Sequence, residues 1–235
     1  VGVGWYKGKM GFLEKINNYG TQTAFLAQLV IRYEDGRVQY VCTDKNYKGS
    51  AAPIVFADIY DGEIYDARLE QDGWASTGFD DGGWHTADVV EKDKSILVPQ
   101  PGCHVTMVDA LPAREILTTP QGDRVIDFGQ NLTGWIEICA KGQKDAVFEL
   151  NCFEVLDADG NVYTDNLRGA KETIRYVCRD DREFCYYPSF TFQGFRYAKI
   201  SSFYGEPLPE NFVAHTVHSD MEPTGSFHCS NPDLN

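Results

Sequence analysis

Apolar side chains in this chain recur at every second position over short runs, and turn-forming residues separate the runs. That spacing constrains the fold more than any other feature. An extended strand sends successive side chains to opposite faces, so alternation places one set on a core and the other toward solvent. Residues 23–33 follow the pattern, Glu34-Asp35-Gly36 supplies a turn, and residues 38–42 return. An Asp-Gly pair between two β-rich runs predicts a hairpin, because glycine takes the positive φ that a tight turn needs. The same unit recurs in Gly134-Trp-Ile-Glu-Ile-Cys139, turned by Lys141-Gly142 into residues 146–152. Residues 173–178 and 195–200 read as further strands, and Asp157-Ala-Asp-Gly160 as another turn. Helical spacing is confined to about one turn at Asp66-Ala-Arg-Leu-Glu70. With 22 glycines and 10 prolines placed between short apolar runs, the pattern predicts an all-β chain of two jelly-roll-like β-sandwich domains.

Between Glu91 and Thr119 the alternation lapses. Lys92-Asp93-Lys94 is followed by Pro99, Pro101, Pro112 and Pro120. A domain boundary is expected there, with a first module over 1–100, a linker over 101–118, a second module over 119–219 and a connector over 220–235. The ends, Val1-Gly-Val-Gly-Trp5 and Ser230-Asn-Pro-Asp-Leu-Asn235, read as the interior of a longer chain.

A net charge of −14 argues against nucleic acid, which needs a basic face, and against an anionic membrane surface. Neutral sugars and divalent cations stay compatible. No run approaches the roughly 18 apolar residues of a membrane span. Seven cysteines, an odd number, cannot form a fully paired scaffold. Cys178 and Cys185 are nearest in sequence, and a strand–turn–strand would bring them together; the alternative is buried thiols on strands.

The densest polar segment is Asp58-Ile-Tyr-Asp-Gly-Glu-Ile-Tyr-Asp-Ala-Arg68. Asp58, Asp61, Glu63 and Asp66 repel one another unless a cation, an arginine or a hydroxyl-rich ligand lies among them. Asp58, Asp61 and Glu63 on a glycine turn form a candidate calcium shell, although the spacing is not that of an EF-hand. The alternative is a solvated turn in which Arg68 pairs with Glu63 or Asp66. Trp74 and Trp84 sit in Gly/Asp-rich loops, where an aromatic face can meet the apolar side of a pyranose while acids and Arg68 hold hydroxyls. Burial at a sandwich edge is the competing reading. Asp127-Phe-Gly-Gln-Asn-Leu-Thr-Gly-Trp135 reads as a polar turn between strands, with Glu154 and Arg168 a candidate ion pair beyond it. Residues 188–197 read as a strand pair with a glycine bend. The motifs GxSxG, HExxH and GxxxxGK[ST] are absent from the sequence, and the five histidines are dispersed.

Taken in order, Asp61-Gly-Glu-Ile-Tyr-Asp-Ala-Arg68 with Trp74 and Trp84, Asp127-Phe-Gly-Gln-Asn131 with Gly134-Trp135, Glu154-Val-Leu-Asp157, Asn166-Leu-Arg168, residues 188–197 and Phe227-His-Cys-Ser-Asn-Pro-Asp-Leu-Asn235 resemble the bacterial α-L-rhamnosidase family. The likeness is to its N-terminal domain and the β-sandwich that follows. Gln193 stands where the family often has His, Tyr47 where Trp is frequent, and Asp61 where Asn is common. The resemblance implies that the first sandwich is truncated at its N-terminus and that a catalytic helical barrel, absent here, follows Asn235. It therefore implies no catalytic residue in this chain, which would serve as accessory scaffold to a glycoside hydrolase acting on terminal α-L-rhamnose. It also implies a rhamnose-containing carbohydrate and the missing catalytic domain as partners, with a binding surface drawn from Asp58, Asp61, Glu63, Asp66, Arg68, Trp74 and Trp84. No cofactor is required on this reading; calcium is the candidate ion. The alternatives are a stand-alone calcium-dependent rhamnose module and domains that only brace the barrel.

Overall fold

The structure, a computed structural model, describes residues 2–10 and 15–234. Its strands in chain order are β1 (Gln28–Arg32), β2 (Val38–Cys42), β3 (Lys48–Gly49), β4 (Ile54–Asp58), β5 (Gly62–Asp66), β6 (His85–Thr86), β7 (Val105–Pro112) and β8 (Glu115–Thr118). There follow β9 (Arg124–Lys141), β10 (Val147–Phe153), β11 (Val155–Leu156), β12 (Val162–Tyr163), β13 (Thr173–Val177), β14 (Glu183–Tyr186), β15 (Gln193–Ser202) and β16 (Phe212–Ser219). The expected all-β class is what forms. Helix is confined to short turns, including the 3-10 turn Ala67–Leu69 inside the one segment with helical spacing. Among the described residues no helix is long and apolar enough to cross a membrane.

Ten strands share one sheet in the order β4-β5-β13-β10-β15-β9-β16-β7, with β8 and β14 also paired to β9. Strand β9 organises it. Its first residues pair with β8 and β15, and its last with β14 and β16. One 18-residue strand therefore passes from one group of partners to another, which curls the sheet around its own apolar face. The Asp127–Trp135 motif, expected as a turn, lies within this strand. Gly129 takes φ +84°, the register against β15 shifts between Phe195 and Tyr197, and the motif is a bulge rather than a turn. Asp127 fastens it. Its carboxylate accepts the Gly129 amide at 2.6 Å and both arms of the Arg196 fork at 2.9 Å.

Period-two burial puts Leu132, Ile136 and Ile138 of β9 into the main core with Phe148, Leu150, Ile174, Phe195 and Phe212. Val125, Phe153 and Tyr197 form a smaller cluster, its two rings stacked at 5.4 Å. The expected linker over 101–118 instead supplies β7 and β8. Strand β7 is at a sheet edge and ends on Pro112, where a missing N–H is tolerated. Residues 188–192 are a loop, and β15 starts at Gln193. Cys185 bonds to Cys139, not Cys178, because β14 pairs with β9 and sets those two residues opposite one another. Cys152 and Cys178 are buried thiols.

Segment 54–66 joins the later sheet through β5, which runs parallel to β13. Gly62 makes that approach feasible. Its φ is +99°, and a Cβ there would strike the Thr173 carbonyl. Next to it, the Glu63 side chain is fully buried. It accepts the Tyr186 hydroxyl at 2.9 Å and the amides of Ser189 and Phe190 at 3.1 and 2.9 Å. Glu172 precedes β13 with φ +46° and donates its amide to the Tyr60 carbonyl at 3.0 Å. Its Oε2 atom is buried without a hydrogen-bond partner. Burial, and then the nearby Glu154, push its carboxyl from 4.5 up to about 8.

Two outcomes follow. Gly62→Ala should destabilise the chain by about 3 kcal/mol, lowering Tm by roughly 6–12 °C, because both the φ and the contact with strand backbone are unfavourable. Thermal unfolding checks this, and a wild-type Tm in the variant would refute it. Glu172 holds its proton more tightly folded than unfolded, so its contribution is complete below about pH 4.5 and is lost as pH rises toward 8. Glu172→Gln should remove that loss. Between pH 5 and pH 8.5 the wild type should lose on the order of 3 kcal/mol more than the variant in urea unfolding.

Candidate functional site

The acidic segment folds so that each carboxylate has its own partners. Asp58 accepts the backbone amides of Tyr60 and Asp61 on one oxygen, at 2.9 and 3.1 Å, and that of Lys9 on the other at 2.8 Å. Asp61 is ion-paired to Lys9 Nζ at 3.0 Å. Glu63 is the buried joint described above. Asp66 caps the 3-10 turn and grips Arg68 through Nε and Nη2, at 2.9 and 2.7 Å, while Arg68 also reaches Asp145 at 2.8 Å. Arg68 holds the Asp66 carboxyl below the usual carboxylate range. Of the arrangements the spacing allowed, the Arg68–Asp66 pair is the one formed.

Asp58, Asp61 and Glu63 as placed do not fit a calcium shell. Their oxygens face N–H, O–H and ammonium donors, which a bound cation would have to displace. Among the described residues, the potential metal-ligand atoms that converge are those of Glu137, Cys139 and Cys185, and the two sulfurs are already bonded to each other.

Trp74 and Trp84 do come together. They line an open concavity of about 430 Å³ with Tyr65, Glu70, Gln71 and Asp72. Its wall is a run of turns after the 3-10 segment: the Trp74 amide returns to the Gln71 carbonyl, and Ser76 returns to Gly73, whose φ of +77° suits glycine. Trp84 donates its indole N–H to Gln71 Oε1 at 2.8 Å and packs on Phe79 at 5.6 Å between ring centres. Trp74 is 64% exposed, its ring open to the concavity. Neither tryptophan is a core plug.

A polar ladder crosses the floor. Tyr65 donates to Glu70 at 2.9 Å, Glu70 pairs with Arg179 at 3.0 Å, and Arg179 holds Asp72 at 2.8 Å. Burial, and then the hydrogen bond to Glu70, push the Tyr65 phenol well up. Arg179 keeps Asp72 below the usual carboxylate range. An exposed indole beside an amide, two carboxylates and a phenol can stack on the C–H face of a sugar ring and bond its hydroxyls. Asp58, Asp61, Glu63, Asp66 and Arg68 do not line this concavity. Tyr65, Glu70 and Gln71 do, although sequence reading did not single them out; their signal was adjacency to Asp72-Gly-Trp74. In the second half of the chain Glu154 accepts the side-chain amides of Asn131 and Asn166, at 3.1 and 2.8 Å.

Comparison with known proteins locates this architecture. The family model described as the alpha-L-rhamnosidase N-terminal domain matches residues 1–109, and that of the bacterial alpha-L-rhamnosidase concanavalin-like domain matches residues 117–218. An alpha-L-rhamnosidase of Streptomyces avermitilis is 36% identical over 236 aligned residues, covering 100% of this chain but 23% of that protein. The chain thus spans about a quarter of the length of the curated relatives it matches. The crystal structure of a Streptomyces avermitilis alpha-L-rhamnosidase complexed with L-rhamnose superposes with a TM-score of 0.89, covering 98% of this chain and 22% of that one at 36% identity. That of the native Aspergillus terreus enzyme gives 0.94, with 39% identity over 100% of this chain and 27% of that one. Over these two matched stretches the chain belongs to the α-L-rhamnosidase family, as its N-terminal and concanavalin-like domains.

Proposed function

We propose that this chain is the non-catalytic accessory portion of an α-L-rhamnosidase, and that the concavity of Trp74 and Trp84 holds an α-L-rhamnose unit of its glycan. The observation that carries the binding role is Trp74, a large indole left 64% exposed over a concavity that also offers the hydrogen-bonding side chains of Glu70, Gln71 and Asp72 beside apolar Ala51, Ala52, Pro53 and Leu69. Stacking on an aromatic face and bonding of hydroxyls by amide and carboxylate are together what a deoxy sugar offers to recognise.

Hydrolysis asks for something different. A glycosidase needs a carboxylic acid that keeps its proton near neutral pH and a second carboxylate across the scissile bond. The carboxylates at this concavity, Glu70 and Asp72, both lie against Arg179, which favours the charged form of Asp72 and leaves it no proton to donate. The match of the chain to the N-terminal and concanavalin-like domains of its relatives supports the same division of labour.

The chain should therefore release no measurable nitrophenol from an aryl α-L-rhamnoside; turnover at ordinary glycosidase rates would overturn the non-catalytic reading. Titration calorimetry should show L-rhamnose binding, and Trp74→Ala should weaken it by about tenfold or more, the scale of one aromatic stacking contact. Equal affinity in wild type and variant would remove the Trp74 pocket as the site, and no binding by either would leave a bracing role. The isotherm should be unchanged by a chelator, because Asp58, Asp61 and Glu63 are already engaged by other donors.

A further inference from the structure

We propose that Cys139, Cys185 and Glu137, on the outer face of the sheet, form a Zn²⁺ site when the disulfide is reduced. The same two cysteines then tie β14 to β9 either by a covalent bond or through a metal.

Strand β9 sends Ile136 and Ile138 into the core, so Trp135, Glu137 and Cys139 project from its other face. Ile138 pairs with Tyr186 of β14 and with Phe212 of β16, which puts β9 between those two strands. Tyr186 and Ala214 are core residues, so their neighbours Cys185 and His215 share the outer face with Cys139. The register sets Cys185 opposite Cys139, and a carboxylate oxygen of Glu137 and both sulfurs lie within 4.8 Å of one another. His215 Nε2 lies 2.9 Å from Glu137 Oε2. The imidazole packs beside Tyr187, with ring centres 6.2 Å apart, and Tyr187 stacks on Trp135 at 5.8 Å. Glu137 is thus steadied by a ring that is itself packed in place.

Two thiolates and a carboxylate converging from neighbouring strands are a donor set for Zn²⁺, which accepts sulfur and oxygen in a tetrahedron and takes water as a fourth ligand. Hard cations such as Ca²⁺ and Mg²⁺ gain little from sulfur. His215 is the kind of outer partner that orients a ligating carboxylate. Cys185 is exposed, so a reductant can reach it. An external dithiol passes two electrons and two protons to the S–S bond and leaves as a disulfide. The two thiols formed lose those protons as their sulfurs bind zinc. Strand β14 also carries Tyr186, the donor to buried Glu63, so either tie steadies the joint that holds β5 in the sheet.

Co²⁺, a spectroscopic stand-in for Zn²⁺, tests the site in the chain reduced with a phosphine. One equivalent should give a sulfur-to-cobalt charge-transfer band with the intense visible bands of a tetrahedral ion, and Zn²⁺ should displace it. The oxidised chain and the reduced Cys139→Ser/Cys185→Ser variant, which both keep Cys42, Cys103, Cys152, Cys178 and Cys229, should give neither. Glu137→Gln and His215→Ala should each weaken Zn²⁺ binding by about tenfold or more. Zn²⁺ should raise the Tm of the reduced chain and leave that of the oxidised chain unchanged. No band in the reduced chain, or the same band in the oxidised chain or the serine variant, would overturn the site. So would a reduced chain whose Tm Zn²⁺ does not raise, and full affinity in Glu137→Gln would remove the carboxylate from the ligand set and the proposal with it.

Discussion

Removing a carboxylate from water costs several kcal/mol unless donors replace the lost hydration. Glu63 has no exposed surface, and its replacement donors all come from distant sequence: the Tyr186 hydroxyl and the amides of Ser189 and Phe190. Separating the two segments would leave a buried acid and buried amides unmatched, so they stay together. The consequences run outward. Holding Tyr186 against β5 sets its ring 5.1 Å from Tyr65 and 5.1 Å from Tyr176, and Tyr65 in turn stacks on Tyr176 at 5.6 Å. Tyr65 so placed bonds Glu70, Glu70 meets Arg179, and Arg179 steadies Asp72 beside Trp74. The polar ladder beside Trp74 is thus built outward from one acid–phenol contact.

The acidic composition has the same internal logic. A net charge of −14 suggests a surface waiting for cations. In the fold, however, Asp66 is held by Arg68, Asp127 by Arg196 and Asp180 by Arg182, in each case through more than one nitrogen. Forked pairs of this kind fix direction as well as distance, because guanidinium and carboxylate are both planar. Asp127 and Arg196 show what that secures: they pin a bulge in the strand about which the sheet curls.

How legible this was depended on the range of the interaction. Period-two runs and the Asp35-Gly36 turn report local geometry, and hairpin β1–β2, strand β13 and the single helical turn all lie where they predict. Edge strand β7 ends on a proline and shows little alternation because it is buried on neither face, so it looked like linker. The motif at Asp127 looked like a turn because its glycines and polar residues have turn chemistry; only the Arg196 fork across the sheet makes it a bulge. The pairing of Cys139 with Cys185 follows from register across 46 residues, which spacing does not encode. The tryptophans were visible as loop aromatics. Their polar neighbours were not, because Tyr65 and Glu70 read as an ordinary strand residue and the end of a helical turn.

The same distinction explains why acidic density alone does not mark a ligand site. A cluster of carboxylates in sequence says that charge must be balanced somewhere, but not whether a ligand or the protein balances it. Here the protein does: a backbone turn for Asp58, Lys9 for Asp61, a phenol and two amides for Glu63. A group already satisfied has little to gain from a ligand, since binding it would exchange one set of hydrogen bonds for another. An exposed indole is in the opposite position. Trp74 keeps most of its apolar surface in water, and covering it removes that surface at no cost in broken hydrogen bonds. Trp74 therefore has more to gain from being covered than the satisfied carboxylates of the acidic segment.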